Sequence, residues 1–442
     1  MLLIGNGMLL TLGKSNQVLP KGGVLIKDSK IIEIGLTQDL QTRFPDAEFI
    51  DAHGKLIMPG MINTHMHLYS TFARGMDSKS KPPKSFGDIL EGLWWKLDKL
   101  LSLKDVYYSA LTPLIECIKT GTTTLIDHHA SPMAITGSLS TLAKAAKEMG
   151  VRAAFCYEVS DRDGDKVAQE GIQENVNFIA ACQANPDPMV AGMFGLHASL
   201  TLSDQTLAAC SEAAKSLGAG FHVHVAEGVE DLEDSLAKYG LRVVERLNKF
   251  DILGPKTIAV HCVHIDDHEI DLLKASHTQV VHNPESNMGN AVGVTPVLKM
   301  LSRGVKVGLG TDGYTCDMFE SAKVANVLHK HAAADPSVAW GEVPQMLYTN
   351  NPQIASDLFG GSFGELVEGA WADVIIVDYL PPTPITSNNW SGHFLFGLAG
   401  RAVETTVING RVCMLDRKLI NIDEAAIGAR SRELAQELWN RI

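Results

Sequence analysis

The sequence predicts an α/β fold: a closed, TIM-like (β/α)8 barrel with a small β-sandwich domain built from both chain ends. Short β-like runs separated by turn residues occupy the two ends of the chain. Between them, short apolar runs alternate with helical stretches, which is typical of β-α units around a parallel sheet. Eight such runs are present, and eight units specify a closed barrel more naturally than an open sheet.

The two end segments are predicted to pair as one β domain. Residues 23–28 and 30–35 show the alternation of apolar and polar residues that is typical of half-buried strands. Residues 368–378 and 404–413 show a similar strand-like pattern. We therefore divide the chain into three parts. Residues 1–57 form the first part of the β-sandwich, residues 58–364 form a metal-dependent barrel, and residues 365–442 form the second part of the sandwich and a C-terminal helix.

The barrel runs are predicted to carry the chemistry at their carboxyl ends, where the active sites of such barrels lie. Most of these runs end at a histidine or an aspartate. In chain order, the eight runs end near His65, Asp127, Cys156, His197, Val225, His261, His282 and Asp312.

Composition excludes several classes of protein. The 442 residues include 38 Lys and Arg against 51 Asp and Glu, a net charge of −13 that repels nucleic acid and anionic membrane surfaces. The 7 cysteines are scattered without a C-x-x-C pair, which indicates reduced thiols and a cytoplasmic location. The apolar start, residues 1–12, has the pattern of a strand rather than a signal peptide. No apolar stretch approaches the roughly 20 residues of a membrane helix.

The strongest local signal is the pair His65 and His67, which follows the first apolar run. Two residues apart on a strand, both imidazoles point to one side and can bind one ion. His224 ends the fifth run and Asp312 ends the eighth, and closure of a barrel places its first and last strands side by side. These four residues are therefore predicted to bind one divalent metal ion, Zn²⁺ or Fe²⁺. The fourth run, residues 189–197, lacks a lysine that could bridge a second ion.

A proton-transfer group is expected beside this metal. Glu227 lies just past the end of the fifth run and is predicted to act as a general acid/base, with a solvated loop glutamate as the alternative. His222 shares that run and is interpreted as a packed barrel histidine. His261 closes the sixth run and is predicted to polarise an oxygen or to order the attacking water, with His264 as its competitor. Asp312 is predicted to be both a metal ligand and a proton acceptor.

Further residues are candidates for substrate contact. His197 ends the fourth run, and His128 follows the second run beside His129, which has an equal claim. A core histidine is the alternative for each of them. Three side chains of the seventh loop could bind ligand or merely hold the loop: Asn283, Ser286 and Asn287.

A long insertion, residues 70–100, separates the first strand from its helix and is a candidate lid over the barrel mouth. It includes the stretch Ser78-Lys-Ser-Lys-Pro-Pro-Lys. Arg74 and Trp94 are its predicted substrate contacts. The alternatives are an ordered surface excursion or a subunit contact.

Together these motifs resemble the amidohydrolase superfamily, in the branch of cytosine deaminase, guanine deaminase and triazine hydrolases. The segments from Trp94, Asp127 and Gly137 are also similar to aminohydrolases associated with selenium-dependent purine metabolism. The motifs that carry the superfamily resemblance begin at Met58, His224, Ala259, His282 and Gly308, and they span the chain.

The resemblance implies a metal held by His65, His67, His224 and Asp312, with Glu227 shuttling a proton and His261 assisting. An activated hydroxide would attack a ring carbon that carries an amino group, and ammonia would leave. The resemblance also implies a homo-oligomer, a dimer or larger.

The sequence thus predicts a metal-dependent aminohydrolase that deaminates a small N-heterocycle, a purine or related base. Two alternatives remain open at this point. One is a hydrolase that opens a cyclic amide in a purine derivative, and the other is a metal-binding protein that has lost catalysis.

Overall fold

The computed structural model describes residues 1–77, 79 and 81–442, so that Ser78 and Ser80 of the predicted lid lie outside the described residues. The strands are β1 (Leu2–Leu10), β2 (Val18–Lys27), β3 (Lys30–Leu36), β4 (Glu48–Asp51), β5 (Leu56–Pro59), β6 (Met61–Met66), β7 (Thr122–His129), β8 (Arg152–Tyr157), β9 (Val190–Gly192), β10 (Phe194–Ala198), β11 (Phe221–Val225), β12 (Ile258–His261), β13 (Gln279–His282), β14 (Val307–Leu309), β15 (Val374–Val377), β16 (Val403–Ile408), β17 (Arg411–Leu415) and β18 (Lys418–Leu419).

Helices separate most of the barrel strands. No helix in the described part of the chain has the length and apolar character needed to cross a membrane. The helices are α1 (Thr37–Arg43), α2 (Phe86–Ile89), α3 (Trp95–Leu100), α4 (Leu103–Thr120), α5 (Ser138–Met149), α6 (Asp165–Ala184), α7 (Asp204–Ser216), α8 (Val229–Tyr239), α9 (Val243–Lys249), α10 (Asp267–Ala275), α11 (Pro284–Gly289), α12 (Val297–Ser302), α13 (Met318–Ala333), α14 (Glu342–Gln345), α15 (Asn351–Phe359), α16 (Trp390–Gly397) and α17 (Glu424–Trp439).

The barrel closes as the sequence predicts. Strands β6 to β9 form one parallel sheet and strands β10 to β14 another. Strands β9 and β10 are separated only by Met193 and together correspond to the predicted fourth run, so the nine strands occupy the eight predicted positions. Parallel bridges join the two sheets at both edges, from Val159 to Leu196 and from Met66 to Asp312. The second bridge brings the first barrel strand against the end of the last one. The predicted fold class is confirmed.

The chain ends contribute to one 9-stranded sheet in the order β18-β17-β16-β15-β5-β1-β2-β3, with β4 paired to β1. Leu2, Ile4 and Val24 from the first segment share an apolar core with Val374 and Val407 from the last. These contacts hold the two chain ends together, as the strand-like patterns at both ends predict. The domain boundaries stay a prediction, since β5 belongs to this sheet and runs to Pro59.

The passage from the end sheet into the barrel occurs at Gly60, between β5 and β6. A Cβ atom at this position would lie 2.3 Å from Cγ2 of Thr123, closer than packed atoms can approach. Only glycine fits this close approach without displacing the second barrel strand. The turn therefore fixes where β6 enters the barrel, and with it the height of the histidines at its far end.

Local sequence signals set the helix ends that frame the barrel. Before α4, the Ser102 hydroxyl accepts a hydrogen bond from the Asp105 amide at 3.3 Å, and the Asp105 carboxylate accepts one from the Ser102 amide at 2.9 Å. This capping box satisfies amides that the helix itself leaves unpaired. The helix ends at Gly121, whose φ of 79° suits a residue without a Cβ.

Candidate active site

Four predicted metal ligands converge at one end of the barrel. His65 and His67 lie at the end of β6 and at the residue after it, His224 lies on β11, and Asp312 follows β14. Oδ1 of Asp312 is 3.0 Å from Nε2 of His67 and 3.6 Å from Nε2 of His65. Nε2 of His67 is 3.3 Å from Nε2 of His224. The backbone holds this arrangement, since the Asp312 amide donates to the His65 carbonyl at 3.0 Å.

The second ring nitrogen of each histidine has a partner of its own. Nδ1 of His67 donates to the His128 carbonyl at 2.6 Å, and Nδ1 of His224 donates to the His197 carbonyl at 2.9 Å. Both bonds fix the tautomer and leave the lone pair on Nε2. Nδ1 of His65 contacts Nε2 of His222 at 2.8 Å, so His222 supports a proposed ligand, consistent with a packed barrel histidine.

These contacts test whether the residues fit a divalent metal ion. Nε2 of His67 and Nε2 of His224 lie 3.3 Å apart, and Nε2 of His65 is buried without a hydrogen-bond partner among the described residues. A cation bound by these atoms would give the buried nitrogen of His65 a partner. Imidazole nitrogens and carboxylate oxygens are also among the donors that Zn²⁺ binds in proteins. The residues therefore fit one divalent ion, and the cofactor prediction is confirmed.

Electrostatics at the site favour positive charge between these ligands. Burial lowers the pKa of His65 to about 3, which leaves a neutral imidazole suited to metal binding. Burial also acts to lower the pKa of His67, but the hydrogen bond and charge of Asp312 outweigh it and raise that pKa to about 10. The anionic site thus stabilises a positive charge at His67, whether a proton or a metal ion supplies it.

Glu227 and His261 lie beside the ligand set. Oε2 of Glu227 is 3.3 Å from Nε2 of His261, which in turn is 3.9 Å from Oδ2 of Asp312. Nδ1 of His261 donates to Oδ1 of Asn287 at 2.7 Å, so its other nitrogen faces the carboxyl groups. Asn290 donates to Glu227 at 3.2 Å. The structure brings both predicted catalytic residues into one contact group with Asp312.

The two carboxyl groups are driven to opposite protonation states. Burial, reinforced by the charge of Asp312, raises the pKa of Glu227 well above its usual range. Burial acts in the same direction on Asp312, but the neighbouring imidazoles of His65 and His67 outweigh it and hold the pKa of Asp312 well below its usual range. A neutral acid and an ionised base in contact are the pair that general acid/base chemistry needs.

The backbone is strained at three of these strand ends. His261 has a φ of 70°, Asp312 of 56°, and Ala226, the residue before Glu227, of 46°. Residues other than glycine rarely adopt this left-handed region, and its cost persists where surrounding structure enforces it. The positive angles turn the chain sharply at the barrel rim, where the catalytic candidates lie.

A cavity opens directly above this group. His67, His224, Glu227 and Asp312 line its floor, and His197 lines its wall. Aromatic side chains form much of the remaining wall: Tyr69, Phe86, Trp94, Trp95 and Tyr314. An enclosure that joins polar groups at the floor to flat apolar side walls suits a planar heterocycle.

The structure places two of the predicted substrate contacts at the cavity and the other two away from it. His197 and Trp94 line the cavity, in agreement with their predicted positions. His128 is fully buried behind it and stacks on His222 with ring centroids 4.5 Å apart. Arg74 is not among the described residues that line the cavity, and its guanidinium is paired with Glu116 of α4 at 2.6 Å. His128 therefore supports the ligand shell, and Arg74 braces the insertion.

The remaining candidates hold the seventh loop or the sixth strand end. Ser286 lines the cavity and donates its hydroxyl to Asp312. Asn287 orients His261 and donates to Thr295 at 2.9 Å. The His264 carbonyl accepts a bond from Arg242 at 2.8 Å, at the edge of the barrel. His129 contacts Ser131 at 2.9 Å inside the barrel wall.

Sequence reasoning missed three carboxylates of the cavity: Glu158, Asp98 and Asp231. Glu158 follows β8, so the rule that identified the other strand-end residues could have found it. Asp98 lies on α3 and is paired with Arg162, and no local pattern marks it. Burial raises the pKa of Asp98 to about 6 against the opposing charge of Arg162.

The predicted lid covers part of the cavity. Residues 86–100 form a short helix, a π-helical turn at Leu90–Trp94 and α3, and Phe86, Leu90 and Trp94 face the cavity. The Gly87 amide donates to Glu230, at the start of α8, at 3.3 Å. A Cβ on Gly228 would lie 2.6 Å from Cδ1 of Phe86. The segment therefore packs against the loop that carries Glu227, and a lid role stays a proposal.

Comparison with known proteins agrees with this geometry. Residues 56–413 match the sequence profile of the amidohydrolase family. The chain is 33% identical over 446 residues to a 5'-deoxyadenosine deaminase of Methanosarcina mazei, covering 100% of this chain and 99% of that protein. It is 34% identical over 420 residues to a 5-methylthioadenosine/S-adenosylhomocysteine deaminase of Thermococcus sibiricus, covering 94% of each.

A solved structure shares the fold over the whole chain. It is an adenosine deaminase from Xanthomonas campestris with bound zinc, with a TM-score of 0.87, 22% sequence identity, and coverage of 100% of this chain and 99% of that chain. At this identity the likeness concerns the fold alone. The nearly complete coverage extends to the end sheet as well as the barrel.

Proposed function

The chain belongs to the amidohydrolase family, and from this premise we propose that it hydrolytically deaminates an adenine nucleoside altered at its 5' position, with one bound divalent metal ion. The observation that carries this proposal is the position of Glu227. Its carboxyl group faces the cavity beside Asp312 and 3.3 Å from His261. The full-length relatives support the substrate class, because their names describe deaminases of such nucleosides.

His65, His67, His224 and Asp312 would hold the ion, which would supply Lewis-acid chemistry by lowering the pKa of a bound water. The chain's own residues perform the proton transfers. Asp312 accepts a proton from the attacking water, as a carboxylate already held ionised by its neighbours can do.

Glu227 then donates a proton to the ring nitrogen next to the carbon that bears the amino group. That carbon gains a hydroxyl substituent. Asp312 then passes its proton to the amino nitrogen, the bond from the carbon to that nitrogen breaks, and ammonia leaves. The hydroxyl proton returns to Glu227 as the oxygen becomes a carbonyl, which restores both carboxyl groups. His261 faces both carboxyl groups and orients the oxygen during attack. The aromatic walls hold the ring and exclude bulk water.

The test measures ammonia released by the metal-loaded protein from 5'-deoxyadenosine, 5'-methylthioadenosine, adenosine, adenine and guanine. We expect turnover of the 5'-altered nucleosides, and Glu227→Gln should lower kcat by about a hundredfold or more because Gln cannot donate the proton. Glu233→Gln is the matched control, since Glu233 is an exposed carboxylate on α8, the helix that follows Glu227.

Release of no ammonia from any of these compounds would contradict the proposal. If ultraviolet spectra then showed loss of the purine chromophore, ring opening would replace deamination. Turnover unchanged in Glu227→Gln would remove Glu227 from the proton-transfer role. The homo-oligomer that the family resemblance implies stays a proposal, and light scattering on the same preparation measures it.

A further inference from the structure

The predicted lid segment brings two polar side chains to the cavity that the proposed mechanism does not use. Trp95 and Asp98 lie three residues apart on α3, a spacing that puts both on one face of the helix, and both line the cavity. Asp98 is 2% exposed. Burying a carboxylate is costly unless hydrogen bonds or opposite charge compensate it, so its partners show what it still lacks.

Arg162 supplies one of these partners. Its Nη2 donates to Oδ2 of Asp98, and its guanidinium carbon lies 5.4 Å from the centre of the Trp95 ring. A guanidinium has only hydrogens to donate, so Oδ2 is the acceptor in this pair. Arg162 is not among the described residues that line the cavity. The charge of Asp98 is therefore balanced from outside the cavity lining, and the second carboxylate oxygen is left for a different partner.

Two polar atoms at this part of the wall are buried without a hydrogen-bond partner. Among the described residues, neither Oδ1 of Asp98 nor Nε1 of Trp95 has one. A carboxylate oxygen accepts hydrogen bonds, and an indole N–H only donates them. Folded proteins rarely leave such buried groups unpaired, so a ligand that pairs with both gains affinity.

A hydroxyl group fits one unpaired donor beside one unpaired acceptor. It can accept a hydrogen bond from Nε1 of Trp95 and donate its own hydrogen to Oδ1 of Asp98. An ether oxygen or a ring nitrogen only accepts and would leave Asp98 unpaired, and an ammonium group only donates and would leave Trp95 unpaired. The pair is therefore suited to an alcohol.

The position of the pair indicates which part of a nucleoside it meets. His67, His224, Glu227 and Asp312 line the cavity floor, and the predicted lid segment covers part of the cavity above them. Deamination of adenine requires C6 at the floor. The sugar is attached to N9, which lies diagonally across the ring system from C6, so it points away from the floor and toward the lid segment. In a nucleoside altered at its 5' position, the remaining sugar hydroxyls are those at C2' and C3'.

We propose that Trp95 and Asp98 form a subsite for the 2',3'-diol of the sugar, so that the cavity prefers ribonucleosides to free bases and to nucleosides that lack the diol. This inference rests on the proposed deamination of an adenine nucleoside and assigns residues to its sugar. A base or a dideoxynucleoside would leave Nε1 of Trp95 and Oδ1 of Asp98 unpaired in the closed site. Sites built to bind a hydroxyl discriminate strongly against analogues without it.

The test is binding of inosine and 2',3'-dideoxyinosine to the metal-loaded protein, measured by isothermal titration calorimetry above the pKa of Asp98, which is about 6. Both compounds carry the base of a deamination product and the same 5' hydroxyl, so they differ only by the diol. We expect inosine to bind at least about tenfold more tightly than the dideoxynucleoside.

Two variants test the two atoms separately. Trp95→Phe keeps an aromatic wall beside Arg162 and removes only the N–H, so the preference for inosine should fall by several-fold. In Asp98→Asn the amide oxygen can keep the bond to Arg162, which puts the NH2 group in the place of Oδ1 and replaces the acceptor with a donor. The preference should fall in this variant too, with little change in the affinity for dideoxyinosine.

Trp340→Phe is the matched control, because Trp340 is 42% exposed and outside the described cavity lining, and it should keep the wild-type ratio. Metal content is measured in every variant. If Trp95 and Asp98 served only to hold the lid segment, their substitution would weaken both ligands equally and leave the ratio unchanged, which would overturn the inference. Equal affinities in the wild type, or no binding of either ligand, would overturn it as well.

The ammonia assay separates this result from the proposed function. A preference for the diol that depends on Trp95 and Asp98, together with no ammonia from any aminopurine, would contradict deamination and leave the sugar subsite standing. Ammonia release with no preference for the diol would do the reverse.

Discussion

At the scale of single residues, the site depends on hydrogen bonds made through the far side of each imidazole. His67 and His224 donate Nδ1–H to backbone carbonyls, and His261 donates to Asn287. These bonds set the tautomer before any ligand arrives, so Nε2 of each ring is committed to the cavity side. The carboxyl groups then divide the remaining roles, with Asp312 ionised and Glu227 protonated.

Glu285, on α11, supports a prediction about stability and pH. Burial, together with the charges of Glu320 and Asp317, raises its pKa to about 7 from an ordinary 4.5. The folded protein therefore binds a proton that the unfolded chain releases between these values, and stability falls as pH rises through this window. Because Gln does not titrate, Glu285→Gln removes this pH-dependent loss of folding stability.

We expect the variant to gain about 1–2 kcal/mol relative to the wild type between about pH 4.5 and pH 7.5, a value reduced because the side chain is partly exposed. Urea unfolding at both pH values measures the difference. The exposed Glu233→Gln should show no such trend. A constant difference between Glu285→Gln and the wild type across this window would contradict the assignment.

At the scale of elements, most candidate site residues could be predicted from the sequence because they lie at the carboxyl ends of barrel strands. His65, His224, His261 and Asp312 each end or follow an apolar run, and the parallel fold brings such ends to one rim. Glu158 obeys the same rule and was missed because its run is predicted to end near Cys156, two residues earlier, and carries no motif. A strand-end position was therefore more informative than a local motif.

The predicted lid segment contributes cavity residues that no local pattern could place. Trp95 and Asp98 reach the cavity only because residues 86–100 fold back over the barrel mouth, which depends on contacts with the loop after β11. Arg74, in the same insertion, is held by Glu116 of α4 instead. Contacts between elements distant in sequence decide which of these side chains meets the substrate, and periodicity does not encode them.

Gly228 tests the contact between the predicted lid segment and the loop that carries Glu227. Its Cβ would lie 2.6 Å from Phe86, so Gly228→Ala should displace the lid and raise KM by several-fold, with a smaller effect on kcat. Gly254→Ala is the matched control, because a Cβ there meets nothing within 4 Å. Steady-state deamination kinetics measure both variants. An unchanged KM in Gly228→Ala would show that this contact does not influence substrate binding.

At the scale of the whole molecule, barrel closure assembles the site. The parallel bridge between Met66 and Asp312 joins the first barrel strand to the end of the last, although the two residues are far apart in the sequence. Closure also places His224, from the middle of the chain, opposite both. The end sheet supports the start of β6 through Gly60 and contributes no described residue to the cavity lining.

The metal content of the protein tests this account most directly. Elemental analysis of protein purified without chelator should find about one zinc or iron ion per chain, and His224→Ala should lose most of it because one of four ligands is removed. The exposed His268→Ala, on α10, should keep the wild-type content. Finding no transition metal, about two ions per chain, or full retention in His224→Ala would contradict a single ion held by His65, His67, His224 and Asp312.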